Sequence, residues 1–99
     1  MHIDYDALAR EDLSDIWLYI AEDDPKRATD YVYHIEKRLE NLAVFPRMGH
    51  PVEEIENDLW AFPLDDYLIF YDILENGIRI TRILHAKRDI NMLFFGDTE

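Results

Sequence analysis

Residues 80–90 read ITRILHAKRDI, an aliphatic run interrupted by Arg82, His85, Lys87 and Arg88. Two guanidinium groups flanking an imidazole could bind phosphate, stabilise developing negative charge and carry a proton near neutral pH. The same residues also have a plainer reading. His85 can be a hydrogen-bonded structural group, Arg82 can stack on an aromatic ring across a hairpin, and Arg88 with Asp89 can form a local ion pair closing the strand's exit.

The rest of the sequence supplies little else for catalysis. It has no HExxH, no glycine-rich phosphate loop, no GxSxG and no cysteine, so familiar catalytic signatures and thiol chemistry fail together. His2, His34, His50 and His85 stand at separations that make no metal pair on a helix or strand, so no metal and no cofactor is expected. The many carboxylates fall mainly on helix surfaces.

Composition narrows the class further. A chain of 99 residues with 48% hydrophobic content predicts one domain around a single core, with a margin small enough for a partner to matter. The formal charge of −12 disfavours a general electrostatic grip on nucleic acid or anionic lipid, so no direct nucleic-acid binding is expected. The charge is unevenly placed. Asp4, Asp6, Glu11, Asp12, Asp15, Glu22, Asp23 and Asp24 face only Arg10 in residues 1–24, whereas Arg79, Arg82, Lys87 and Arg88 face only Asp89 in residues 78–92. The acidic start MHIDYDALARED, the absence of cysteine and the lack of a long apolar run predict a cytoplasmic protein without a membrane span.

Local signals define the elements that must position these groups. HIDY at residues 2–5 alternates as a short strand, and Asp6 can cap a helix beginning near Ala7. Ala9, Leu13, Ile16, Trp17 and Ile20 keep helical spacing, with Glu11, Asp12, Asp15 and Glu22 directed outward. Asp24-Pro25 stops that helix and starts another, whose apolar stripe is Ala28, Tyr31, Val32, Ile35, Leu39 and Leu42, ending by Val44 or Phe45. The short connection predicts an antiparallel helical hairpin. Residues 46–58, PRMGHPVEEIEND, read as a loop, and LWAFPL (59–64), YLIFYDIL (67–74) and IRITRILHA (78–86) read as strands.

A tight turn at Asn76-Gly77 would set Glu75 opposite Ile78, Tyr71 opposite Arg82, Ile69 opposite Leu84 and Leu68 opposite His85. One face then carries Ile69, Tyr71, Ile73, Ile78, Ile80, Arg82 and Leu84 and covers the helices. The other carries Leu68, Phe70, Asp72, Thr81, Ile83 and His85. The predicted fold class is α+β: a short N-terminal strand and a helical hairpin packed on a small antiparallel sheet.

DLSDIWLYIAEDDPKRA, LAVFPRMGHP, DDYLIFYDI and IRITRILHAKRDI follow one another in an order that resembles the ParE branch of the RelE/ParE toxin superfamily. The resemblance spans nearly the whole chain and is sharpest at Leu84, His85, Arg88 and Asp89. It implies the toxin of a type II toxin–antitoxin system such as those that stabilise plasmids. Such a toxin is neutralised by a small ParD-like antitoxin in a hetero-oligomer, and it inhibits DNA gyrase by binding. The RelE branch instead cleaves messenger RNA on the ribosome. On that alternative, Arg82, His85 and Arg88 would be the catalytic set.

On the ParE reading, the candidate target contacts are Trp60, Arg82, His85 and Arg88. The candidate antitoxin contacts are Leu68, Phe70, Arg79 and Ile83 with Phe94 and Phe95, which stand beside Met92 and Leu93 in an apolar C-terminal cluster. Two positions depart from the family's pattern. His50 and Trp60 stand where arginine is usual, so a non-toxic homologue is a further alternative.

Overall fold

A computed structural model describes residues 2–89. In chain order these form β1 (His2–Tyr5), α1 (Ala7–Ala21), α2 (Pro25–Val44), a 3-10 turn (Pro46–Met48), β2 (His50–Pro51), β3 (Leu59–Leu64), β4 (Tyr67–Leu74) and β5 (Gly77–His85). The strands make one sheet in the order β1-β5-β4-β3-β2. Pairing is antiparallel from β2 to β5, while β1 lies parallel to β5 at the edge. The parallel pair follows from the topology, because the helical hairpin carries the chain across the sheet between β1 and the later strands.

Both helices pack on one face. The Asp24 carboxylate accepts a hydrogen bond from the Arg27 N–H at 3.2 Å with Pro25 in the first turn, as the sequence predicts. Trp17 Nε1 donates to Thr29 Oγ1 at 3.0 Å and ties the two helices together near their connection. Ile16, Ile35, Leu39 and Leu42 meet Ile69, Tyr71, Ile78, Ile80 and Ile83 from the sheet in one buried core. A smaller cluster, Val52, Leu59, Ala61, Phe70 and Leu84, lies on the sheet's other face.

The β4–β5 hairpin corrects the predicted register in two ways. Its turn residues are Glu75 and Asn76, and Gly77 already pairs with Leu74 as the first residue of β5. Asn76 does not take the left-handed conformation that the tight Asn-Gly turn requires. Glycine is needed at position 77 for a different reason: a Cβ there would collide with the backbone of His2, which β1 brings alongside. Ile73 therefore faces Ile78, and Tyr71 faces Ile80. A shift of two residues preserves which side chains share a face, so this part of the aliphatic face survives.

The second correction inverts the face. Tyr71 pairs with Ile80 but Phe70 pairs with Arg82, leaving Thr81 as an extra residue in β5. The Thr81 hydroxyl donates to the Phe70 carbonyl at 3.1 Å, holding the bulge in place. Beyond a bulge the alternation changes phase. Ile83 consequently enters the helix-facing core opposite Ile69, while Leu84 turns to the outer cluster opposite Leu68, and His85 pairs with Tyr67. The expected pairing of Tyr71 with Arg82, and with it the proposed stack, does not form.

Tyr71 has another task. Fully buried, it donates its hydroxyl proton to the Pro46 carbonyl at 2.6 Å and receives the Gly49 N–H. Burial pushes its hydroxyl pKa up to about 12, so it remains a donor. A Cβ on Gly49 would strike both this hydroxyl and the Ala61 carbonyl, which accounts for glycine after Pro46, Arg47 and Met48. Tyr71→Phe should lower the unfolding free energy by about 1–2 kcal/mol, because a partly buried carbonyl loses its donor. Denaturant unfolding should show the loss with little change in far-ultraviolet circular dichroism.

Candidate interaction site at the end of β5

Beside their apolar contact, α1 and β5 are joined by one carboxylate. Asp12 accepts from Arg82 Nε at 2.9 Å and from Arg82 Nη2 at 3.0 Å, and its Oδ2 also accepts the Ile83 N–H at 2.8 Å. β1 ends at Tyr5, opposite Ile80, so among the described residues no strand pairs with β5 on that side beyond this point. Asp12 supplies the acceptor a strand would have supplied. Its side chain is only 11% exposed, against 37% for Arg82, so the pair is partly shielded from water. These hydrogen bonds hold Arg82 still more firmly protonated than an ordinary arginine.

A second carboxylate repeats the pattern at the strand's exit. Asp89 Oδ2 accepts the His85 N–H at 2.8 Å, and Asp89 Oδ1 accepts from Arg88 Nε at 3.0 Å. His85 Nδ1 accepts the backbone N–H groups of Arg88 at 3.1 Å and Lys87 at 3.3 Å, which requires the tautomer carrying its hydrogen on Nε2. The His85 ring meets Tyr67 edge-on with centroids 5.5 Å apart. His85 thus caps a turn through one nitrogen and presents the other. Between α1 and this turn lies a cleft of about 520 Å³ lined in part by Asp15, Tyr19, Tyr67, Arg82 and Arg88.

The remaining cation of β5 is likewise matched. Arg79 lies 4.0 Å from Asp6 and 3.9 Å from Asp72. Burial raises the Asp72 carboxyl pKa despite the lowering influence of Arg79. The acidic N-terminal segment therefore answers the basic final strand at Arg79 and Arg82, through Asp6 and Asp12, while Arg88 at the exit is matched by its neighbour Asp89.

Residues 3–90 match the family described as "ParE toxin of type II toxin-antitoxin system, parDE". The chain belongs to the ParE toxin family. A curated ParE relative, Toxin ParE1 of Caulobacter vibrioides, is 31% identical over 82 residues, spanning 80% of this chain and 82% of its own length. A solved structure titled "Chromosomal ParDE TA system from P. aeruginosa" superposes with a TM-score of 0.72 at 22% identity, covering 88% of this chain and 97% of that one. That likeness confirms the α+β fold predicted from sequence.

Of the residues that the ParE resemblance singles out, the structure brings together Arg82, His85 and Arg88. Trp60 stands elsewhere, on β3 opposite Tyr71, with the Arg47 guanidinium 5.8 Å from its ring. It packs against the helix-side core, whereas His50 is exposed on β2. Leu68 and Phe70 lie on the outer face as expected, Phe70 buried and Leu68 half-buried, with Arg79 at the same groove as Phe70. Ile83 does not join them, because the Thr81 bulge turns it into the helix-side core. Phe94 and Phe95 lie outside the described residues. Asp12 is the residue that sequence reasoning missed, having been assigned to the solvent face. The available signal was its phase: it stands one helical step along the stripe, three residues after Ala9 and four before Ile16.

Burial pushes the Asp89 carboxyl pKa up, but the Arg88 hydrogen bond, the His85 N–H and the nearby positive charge together bring it below the ordinary aspartate value. Its contribution to stability is therefore present above the unfolded-state value of about 4 and is lost as pH falls through the folded value. Unfolding free energies measured from about pH 6 to about pH 2 should fall less steeply at the acid end for Asp89→Asn than for the native chain.

Proposed function

We propose that this ParE-family chain is a toxin held inactive by a cognate ParD-like antitoxin and that, when released, it inhibits DNA gyrase by binding rather than by cutting RNA. One observation favours binding over cleavage. The three residues that would serve a ribonuclease are already engaged: Arg82 by Asp12, Arg88 by Asp89, and His85 Nδ1 by two backbone N–H groups. Stabilising a phosphorane-like transition state needs cations aimed at the reacting phosphate, and here each arginine is aimed at a carboxylate of its own chain. The formal charge of −12 further weakens docking on ribosomal RNA.

For a binding inhibitor the same arrangement is useful. Arg82, His85 and Arg88 form a polar rim beside Tyr19 and Tyr67, held rigid by the two carboxylates, and rigid rims with aromatic neighbours suit protein recognition. The outer face near Phe70 and Arg79 is one candidate antitoxin contact, with apolar burial setting the lifetime and charge setting the association rate.

Induced alone, the chain should elongate cells and block replication while transcripts remain intact. Purified, it should reduce DNA supercoiling by gyrase, and the co-purified antitoxin should restore it. Codon-positioned messenger cleavage on ribosomes that disappears in His85→Ala would overturn this reading in favour of the RelE-like alternative. Absence of any growth defect at verified soluble expression would identify a non-toxic homologue.

A further inference from the structure

Free strand edges invite other chains, and most of the edges here are blunted. Where β5 runs past β1, Asp12 and Asp89 hold the outward N–H groups of Ile83 and His85. On the opposite side, β2 ends in Pro51 and β3 carries Pro63, neither of which offers a donor. β1 differs. The N–H groups of His2 and Asp6 donate to the carbonyls of Asn76 and Ile80, so the even-numbered amides face β5. By alternation, the amides of Ile3 and Tyr5 point away from the sheet. Arg10 Nε reaches the Tyr5 carbonyl at 3.3 Å from that outer side.

Beside this edge runs a groove of about 590 Å³ between β1 and α2, lined by Ile3, Tyr5, Glu36, Glu40, Ala43 and Val44. Its floor is apolar and one wall is anionic. Burial first, then Glu36 and Glu40, push the Tyr5 hydroxyl pKa up to about 12, so both carboxylates are felt at the groove floor. Glu40 lies 3.4 Å from Lys37 in a solvent-exposed pair of the kind that constrains a carboxylate little. Val44 and Phe45, 47% and 63% exposed, continue the apolar strip at the end of α2.

We propose that the outer edge of β1 and this groove take an extended, cationic segment of a partner protein. The segment adds a strand beside Ile3 and Tyr5, lays an apolar side chain on Ile3 and Val44, and directs a lysine or arginine to Glu36 and Glu40. Backbone pairing supplies affinity in such an addition, and alternate side chains supply selectivity. Charge chooses the occupant. A second copy of this chain would bring a molecule of net charge −12 to an anionic groove, whereas a basic strand is drawn to it. On the toxin reading, on which this inference rests, the segment belongs to the antitoxin.

The test uses the chain co-expressed with the small protein encoded beside it, compared with the free chain by residue-resolved amide hydrogen exchange. The Ile3 and Tyr5 amides should exchange readily in the free chain and slow by about 100-fold or more in the complex. The Ile83 and His85 amides should change much less. Glu36→Lys combined with Glu40→Lys should weaken the complex by roughly tenfold or more. Glu11→Lys combined with Glu22→Lys, matched in charge at exposed positions on α1 and just past its end, should weaken it far less, with thermal unfolding confirming that both variants fold. A complex that forms while Ile3 and Tyr5 exchange is unchanged, or that tolerates the groove reversal, overturns this inference and leaves the toxin–antitoxin reading standing. Protection of both amides in a dimer of the free chain would instead make a second copy the occupant and overturn it as well. If no complex forms at all, the toxin–antitoxin reading falls and this inference falls with it.

Discussion

The arrangement of the C-terminal half of the sheet depends on Asp12. One carboxylate on α1 engages Nε and Nη2 of Arg82 and the Ile83 N–H, and so joins the helical layer to the strand that carries the candidate site. Because β1 stops opposite Ile80, the following stretch of β5 has no strand partner on that side among the described residues, and Asp12 takes that place for the Ile83 N–H. A carboxylate that meets a guanidinium and a backbone N–H together has most of its lone pairs matched, which is the condition under which a shielded charge can be retained. The Thr81 bulge belongs to the same arrangement, since it sets the phase at which Ile83 enters the core and its N–H faces Asp12.

This local solution governs how the molecule's charge is used. A formal charge of −12 beside a basic final strand suggests two surfaces each awaiting a partner. The structure instead matches Arg79 with Asp6 and Asp72, Arg82 with Asp12, and Arg88 with Asp89. Of these, the more exposed pairs at Arg79 and Arg88 contribute little to stability individually, so their main effect is on geometry and on what the cations can bind. The surplus acids elsewhere, among them Glu36 and Glu40 beside β1, have no such answer from β5. The ParE family membership and the pairing scheme are thus compatible with a protein that acts by docking.

Much of the fold was legible because the sequence punctuates it strongly. Asp24-Pro25 marks the junction of the helices, Pro46 follows the end of α2, and the three later strands are runs of aromatic and branched residues. The register was not legible for physical reasons specific to β5. Gly77 looks like a turn residue but is demanded by the backbone of His2, a contact distant in sequence. The bulge at Thr81 has no compositional mark, and it alone moves Ile83 and Leu84 to opposite faces. Arg82, His85 and Arg88 were identifiable by residue type. Asp12 was not, because a carboxylate on an acidic helix reads as solvated unless its phase against Ala9 and Ile16 is followed closely.

The central claim is that Asp12 and Arg82 act as a coupled unit joining α1 to β5, and a double-mutant cycle tests it most directly. Unfolding free energies of the native chain, Asp12→Ala, Arg82→Ala and the double variant would be measured in denaturant at low and at high salt. The account predicts a favourable coupling of about 1–3 kcal/mol that largely survives added salt, with Asp12→Ala costing more than Arg82→Ala because it also strips the Ile83 N–H of its acceptor. A coupling indistinguishable from zero, or one that vanishes in salt with equal costs for the two single variants, would show an ordinary surface pair and contradict the account.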